Sequence, residues 1–160
     1  MFQKKINILF TLFFLCILIF SCVDDDVCDK VTTPRLTIEL DSLGSKYKKN
    51  RLYVDRKNPD GTIQSEGVFQ KKDSIQLPLN SLSDETIFYL YDTLHTPDSC
   101  KNIITIKYLT EQHFVSKACG FKVIFNNVTY EATALTNIKT ITGKSNHIYN
   151  ESSTNLHIAY

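Results

Sequence analysis

The chain has 160 residues, of which 42% are hydrophobic and 22% charged, with a formal net charge of +1. That near-neutral balance, with no clustered basic surface, excludes a nucleic-acid partner. The short basic patches at 48–51 (KKNR) and 70–72 (QKK) read as solvated turns. There is no internal repeat and no low-complexity linker.

The first element in chain order is an export signal over residues 1–21. Lys4 and Lys5 form a short basic start, and Ile6 to Phe20 follows without a charge. This is the length of a secretory h-region and falls short of the roughly 20 apolar residues that span a bilayer. The alternative is an uncleaved single-span anchor.

The end of the run, Ile19-Phe20-Ser21-Cys22, resembles the lipobox of bacterial lipoproteins, with Phe20 bulkier than the usual residue. That resemblance implies a diacylglycerol on the Cys22 thiol, cleavage before it, and acylation of the freed amine, with palmitate as the implied acyl chain. Two or three acyl chains anchor stably where one does not. Cys16 then leaves with the signal. Asp24, Asp25 and Asp26 come next. Like charges keep a tether extended and solvated, and the block also resembles the acidic surface-export signal of Bacteroidota lipoproteins. The expected location is the outer membrane, lipid-anchored, at the cell surface, with the periplasmic leaflet as the alternative. Removing residues 1–21 from the 160 leaves 139, enough for one domain with a real core. The expected division is signal 1–21, acidic tether 22–33 and a folded domain 34–160.

Within that domain the pattern is one of short strands. RLTIEL (35–40) alternates through Leu36, Ile38 and Leu40, and RLYVDR (51–56) pairs Leu52 with Val54. Asn58-Pro59-Asp60-Gly61 is a strong turn signal, and TIQSEGVF follows as its hairpin partner. DSIQLPL (73–79) alternates, but Pro78 lacks a donor and confines it to a sheet edge or ends it. SLSDET (81–86) offers one short helical turn. TIFYLYD (86–92) suits a central strand, followed by NIITIKYL, HFVSKACGFKVIF and, after Asn126-Asn127, VTYEATAL. NIKTIT and NLHIAY complete the chain. Such spacing predicts an all-β fold, a single antiparallel β-sandwich of immunoglobulin-like or related type.

Cys28, Cys100 and Cys119 remain after lipidation, and an exported compartment permits disulfides. Three thiols allow one bridge. Cys28–Cys119 is the expected pair, tying the start of the domain to a late strand, with Cys100 free in a loop or the true partner. Catalytic residues are not expected. His95, His113, His147 and His157 have no zinc spacing, so neither metal nor cofactor is expected. There is no nucleophile elbow and no phosphate loop. Tyr47, Tyr53, Tyr89, Tyr91, Tyr108, Tyr130, Tyr149 and Tyr160 reflect the strand preference for aromatics or, if clustered and exposed, a glycan or protein surface. Asp41-Ser42-Leu43, Asp73-Ser74-Ile75 and Asp92-Thr93-Leu94 resemble a short O-glycosylation signal, of interest only where the hydroxyls are exposed.

With Thr33-Pro34-Arg35-Leu36, DSIQLPLN and Ala118-Cys119-Gly120-Phe121, the chain resembles a family of small Bacteroidota lipoproteins known only as a domain of unknown function. The resemblance implies a lipid-anchored extracytoplasmic β domain and transfers no catalytic residues. Two function classes follow. One is a non-catalytic envelope lipoprotein, held to the membrane through Cys22, that binds an envelope protein or glycan. The other is a small hydrolase acting on envelope polysaccharide or peptidoglycan.

Overall fold

A computed structural model describes residues 28, 33–94 and 101–160. The signal segment, Cys22, Asp24, Asp25, Asp26, His95 and Cys100 lie outside them. The described chain is all β, and no helix occurs in it. Its strands are β1 (Leu36–Ser42), β2 (Ser45–Lys46), β3 (Leu52–Lys57), β4 (Ile63–Phe69), β5 (Ser74–Leu77), β6 (Glu85–Tyr91), β7 (Asn102–Ser116), β8 (Gly120–Ala134), β9 (Thr140–Gly143), β10 (His147–Ile148) and β11 (Leu156–Ala159). They form a sandwich of two sheets. One is ordered β2-β1-β11-β9 with β5 also on β1, and the other β10-β8-β7-β6-β3-β4.

The pairing is antiparallel except that β1 runs parallel to β11, with Ile38 opposite Leu156 and Leu40 opposite Ile158. The expected antiparallel β-sandwich is thus what the chain forms, with this one parallel pair in it. A parallel pair needs a long crossover, and here nearly the whole domain separates the two strands. Asn155 fixes the entry to the pair. Its side-chain oxygen accepts from Thr37 N at 2.8 Å and its own N donates to Thr37 O at 2.9 Å.

Alternation puts Leu36, Ile38, Leu40, Ile75, Leu77, Leu156 and Ile158 of one sheet against Leu52, Val54, Phe88, Leu90, Ile104, Ile106 and Phe125 of the other, all buried. Tyr108 fills the end of this core. Its hydroxyl donates to Asn80 O at 2.7 Å and lies 2.6 Å from Thr86 Oγ1. Burial, the largest influence, pushes that hydroxyl up to about 12.

Local chemistry accounts for several boundaries. The Asn58–Gly61 turn closes with Gly61 N donating to Asn58 O at 2.9 Å, and Gly61 takes the positive φ of 85° that glycine tolerates. Pro78 follows directly on β5, which pairs with β1 alone. Residues 81–84 form bends and a turn, not helix. Asn80 Oδ1 accepts from Leu82 N and Ser83 Oγ from Glu85 N, so side chains take the donors a helix would use.

The largest departure from the expected strands is the β7–β8 hairpin, with two strands of 15 residues each. Asn126-Asn127 is a bulge inside β8, not a break between strands. The register shifts there, and Asn127 takes φ 52°, which asparagine tolerates well. Conversely, HFVSKACGFKVIF is not one run, because the chain reverses between Ser116 and Gly120. Cys119 in that turn is joined to Cys28 by a disulfide with a Cα–Cα distance of 4.9 Å.

Candidate functional site

The outer face of the six-stranded sheet carries the most distinctive chemistry. In β3 and β6 the inward positions are Leu52, Val54, Phe88 and Leu90, so Tyr53, Asp55, Tyr89 and Tyr91 point the other way. Because β3 pairs with β6, Tyr53 lies opposite Tyr91 and Asp55 opposite Tyr89. The Tyr53 and Tyr91 rings stack with centroids 5.3 Å apart and planes 7° apart. The Tyr91 hydroxyl donates to Asp55 Oδ2 at 2.8 Å. Burial first, then that bond and the Asp55 charge, push the Tyr91 hydroxyl up to about 12, so it stays a protonated donor. Lys101 Nζ sits 4.7 Å from the Tyr91 ring centroid, and an Arg51 guanidinium nitrogen donates to Tyr53 Oη at 3.4 Å. Val68, exposed on β4 opposite Tyr53, widens the apolar area. Tyr91 and Asp55 are themselves buried, 7% and 9% exposed, so what reaches the surface is the half-buried Tyr53 and Tyr89 beside exposed Val68: a tyrosine shelf on a buried Tyr91–Asp55 support, with Arg51 and Lys101 at its border.

The other tyrosines serve the fold or its rim. Tyr130 donates to Ser145 O at 2.8 Å. Tyr160 lies under Lys49, whose Nζ is 3.5 Å from the ring centroid and 3.1 Å from Asp92 Oδ1. Lys49 is only 8% exposed, and it lies beside a knot of amides. Asp92 Oδ2 accepts from Asn137 Nδ2 at 2.6 Å, and Asn137 Oδ1 from Asn102 Nδ2 at 2.7 Å. Asn102 Oδ1 accepts in turn from the backbone of Thr136, Asn137 and Ile138. This cluster is a latch between the start of β7 and the segment after β8. Its carboxylate and amides are taken up with one another and with the backbone.

The described histidines do not converge. His113 contacts its neighbour's carbonyl at 3.1 Å, His147 the Asn126 side chain at 2.9 Å, and His157 the Glu39 carboxylate at 3.2 Å. Burial raises the Glu39 carboxyl, but the Thr154 hydroxyl with the charges of Lys46 and His157 outweighs it and holds the group below its usual value. Among the described residues no three His, Cys, Asp or Glu side chains form a metal-sized group. Cys28 and Cys119 are tied up in their disulfide. A cleft of about 130 Å³ beside Lys57, Pro59 and Ser83 has Glu85 as its one carboxylate. Another of about 300 Å³ beside Tyr130 and Lys144 has none. Of the three glycosylation-like tripeptides, Ser74 and Thr93 are exposed, whereas Ser42 is half-buried and donates to Tyr160 O.

The sequence profile of a family of unknown function, DUF6452, matches residues 51–160. The chain belongs to this family. The DUF6452 match begins just before β3 and includes the whole six-stranded sheet, and with it every residue of the tyrosine shelf. It is shorter than the resemblance expected from sequence, which took in Thr33 to Leu36. β1, β2 and Cys28 precede it. No curated protein and no solved structure matches the chain.

Sequence reading missed the shelf as a unit. Half of the signal was present, since the alternation that marks Leu52 and Val54 as core also marks Tyr53 and Asp55 as outward, whereas TIFYLYD is a continuous apolar run that marks neither face. What it lacked was the pairing of β3 with β6.

Proposed function

We propose that this DUF6452 protein is a non-catalytic envelope protein that binds a partner protein or glycan on its tyrosine shelf. The observation that carries the reading is the half-buried Tyr53 and Tyr89 beside exposed Val68, with Tyr53 held flat by its stack on the buried Tyr91 that Asp55 fixes in place. Tyrosine offers broad apolar area with a polar tip and little conformational entropy to lose, which is why it is enriched at recognition surfaces. The flanking cations add directional contacts. The test is cross-linking capture from the protein's own envelope. A Tyr53→Ala/Tyr89→Ala variant that melts like the wild type is expected to lose the captured ligand. Equal capture by both proteins would sink the proposal.

The second half of the reading concerns placement. The protein is tethered to the outer membrane through an acylated Cys22 and displayed at the cell surface, with Asp24, Asp25 and Asp26 as the export signal. The support is the apolar run ending at Ile19-Phe20-Ser21-Cys22 and the acidic block after it. A disulfide between Cys28 and Cys119 suits an oxidising compartment. Mass spectrometry of the mature chain is expected to find an acylated Cys22 at its start. Alanine at the three aspartates is expected to reduce the fraction shaved by external protease without changing the melting temperature. An unmodified Cys22 removes the anchor from the account, and unchanged shaving removes the export role.

A further inference from the structure

The half of the β7–β8 hairpin that overhangs the sandwich has no part in the shelf. β6 begins at Glu85, opposite Lys107, and Tyr108 N still donates to Asp84 O at 2.9 Å; beyond that β7 continues to Ser116 with no strand paired on that side among the described residues. Along this overhang, Phe121, Val123 and Phe125 share one face of β8. Phe125 is fully buried, Val123 is half-buried against the core and Phe121 is 62% exposed. Phe114 lies directly opposite Phe121 and is 54% exposed, with the rings edge-to-face at 5.4 Å. The apolar stripe of the core thus runs out of the domain and ends in two bare aromatic rings. Lys117 is exposed in the turn between them, and the Lys122 ammonium reaches the carbonyl of exposed Tyr149 at 3.3 Å.

The disulfide gives this tip a destination. Cys119, two residues before Phe121, is bonded to Cys28. Cys28 lies six residues after Cys22, a span of at most about 20 Å of extended chain. Thr33 Oγ1 also accepts from Val123 N at 3.2 Å, so the entering chain is held along the hairpin as well.

We propose that the Phe114–Phe121 tip is a second membrane contact, seated in the headgroup region of the same bilayer that holds the Cys22 acyl chains. This rests on the acylation of Cys22. Aromatic rings and lysines are the side chains that settle at a membrane interface: the rings span the apolar and wet zones and the ammonium groups meet lipid phosphates. An anchor that cannot stray more than about 20 Å supplies the high effective concentration that a small contact needs. The contact also orients the domain. Tyr91 ends β6 at the pole opposite the hairpin tip, and strand rise places the shelf up to about 40 Å farther from the bilayer. The disulfide therefore joins the anchor to the membrane-facing tip, while the shelf points outward.

The chain contains no tryptophan, so a single introduced indole reports its own surroundings. Acylated full-length Phe121→Trp and Leu94→Trp variants would be reconstituted into phosphatidylethanolamine–phosphatidylglycerol vesicles with brominated acyl chains. Leu94 is exposed just beyond the far end of β6. The expected result is a blue-shifted Phe121→Trp emission, quenched severalfold more by bromine than that of Leu94→Trp. Equal quenching at the two sites overturns the orientation. A blue-shifted but unquenched Phe121→Trp means that the tip is covered by protein, either its own tether or another chain, and overturns the membrane contact. Intact mass on the same samples separates the two layers. Acylated Cys22 with an unquenched tip defeats the hairpin proposal alone, and unmodified Cys22 on protein that fails to float with the vesicles defeats the anchor and the contact together.

Discussion

Asn102 is the residue whose loss the fold should feel most for its size. It is 1% exposed, and its side chain makes five hydrogen bonds. Its oxygen accepts from Thr136 N at 2.8 Å, Asn137 N at 3.3 Å and Ile138 N at 3.4 Å. Its amide donates to Leu90 O at 3.0 Å and Asn137 Oδ1 at 2.7 Å. Asn102→Ala strips the acceptor from backbone donors beside buried Ile138. Each buried donor left unmatched costs about 1–3 kcal/mol, and the two longer bonds belong at the low end. The total is about 3–5 kcal/mol, or roughly 10–20 °C in melting temperature for a domain of this size. Urea unfolding followed by far-UV circular dichroism measures it. Asn102→Asp keeps the acceptor but buries a charge and loses both donors, so it too should be destabilised. A loss below about 1 kcal/mol in Asn102→Ala would refute the reasoning and mean that water or a shifted backbone replaces the oxygen.

Three further outcomes follow from other parts of the fold. The disulfide closes a loop with a sequence separation of 91; loss of Cys119 to serine should cost 2–5 kcal/mol, toward the chain-entropy value of about 4–5 kcal/mol, and reduction of the wild type should reproduce it. A Cβ at Gly143 would meet the Tyr130 ring at 2.5 Å, and that ring is held by its bond to Ser145 O; Gly143→Ala should therefore destabilise by about 1–3 kcal/mol, and Gly143→Ala/Tyr130→Leu by less than the sum of the two single changes. The Glu39 carboxyl titrates below its usual 4.5 in the folded chain. Its contribution is thus present above that value and lost as pH falls through the lower folded value, so wild-type stability should converge on that of Glu39→Gln in acid and exceed it at neutral pH.

How much of this was legible in the sequence varies by element. Alternation gives the inward faces of β1 and β3 outright, because a half-buried strand repeats every second residue; β6 is a continuous apolar run and shows only that it is a strand. The Asn58–Gly61 turn is equally plain, since its torsions demand those residue types. The long hairpin was misread at both ends for a common reason. Asn126-Asn127 and Ala118-Cys119-Gly120 carry similar turn chemistry, yet one bulges within a strand and the other reverses the chain. Only the register across β7 and β8 separates them. β2 and β10, two residues each, are too short for any period to show. The parallel β1–β11 pair depends on Asn155, a polar residue whose meaning appears only beside Thr37. For the shelf, β3 declares Tyr53 as outward, but its stacking depends on a pairing with Tyr91 of β6 that no local pattern encodes.

The central claim is recognition through the shelf, and its most direct measurement is a titration. Envelope extract from the protein's own source would be split into polysaccharide and protein fractions and titrated into the wild type and into Tyr53→Ala/Tyr89→Ala. The account predicts saturable binding of one fraction, weakened about tenfold or more in the variant, equivalent to at least about 1.4 kcal/mol at an aromatic contact. Binding of equal strength by both proteins, or the turnover of either fraction by the wild type, would contradict it.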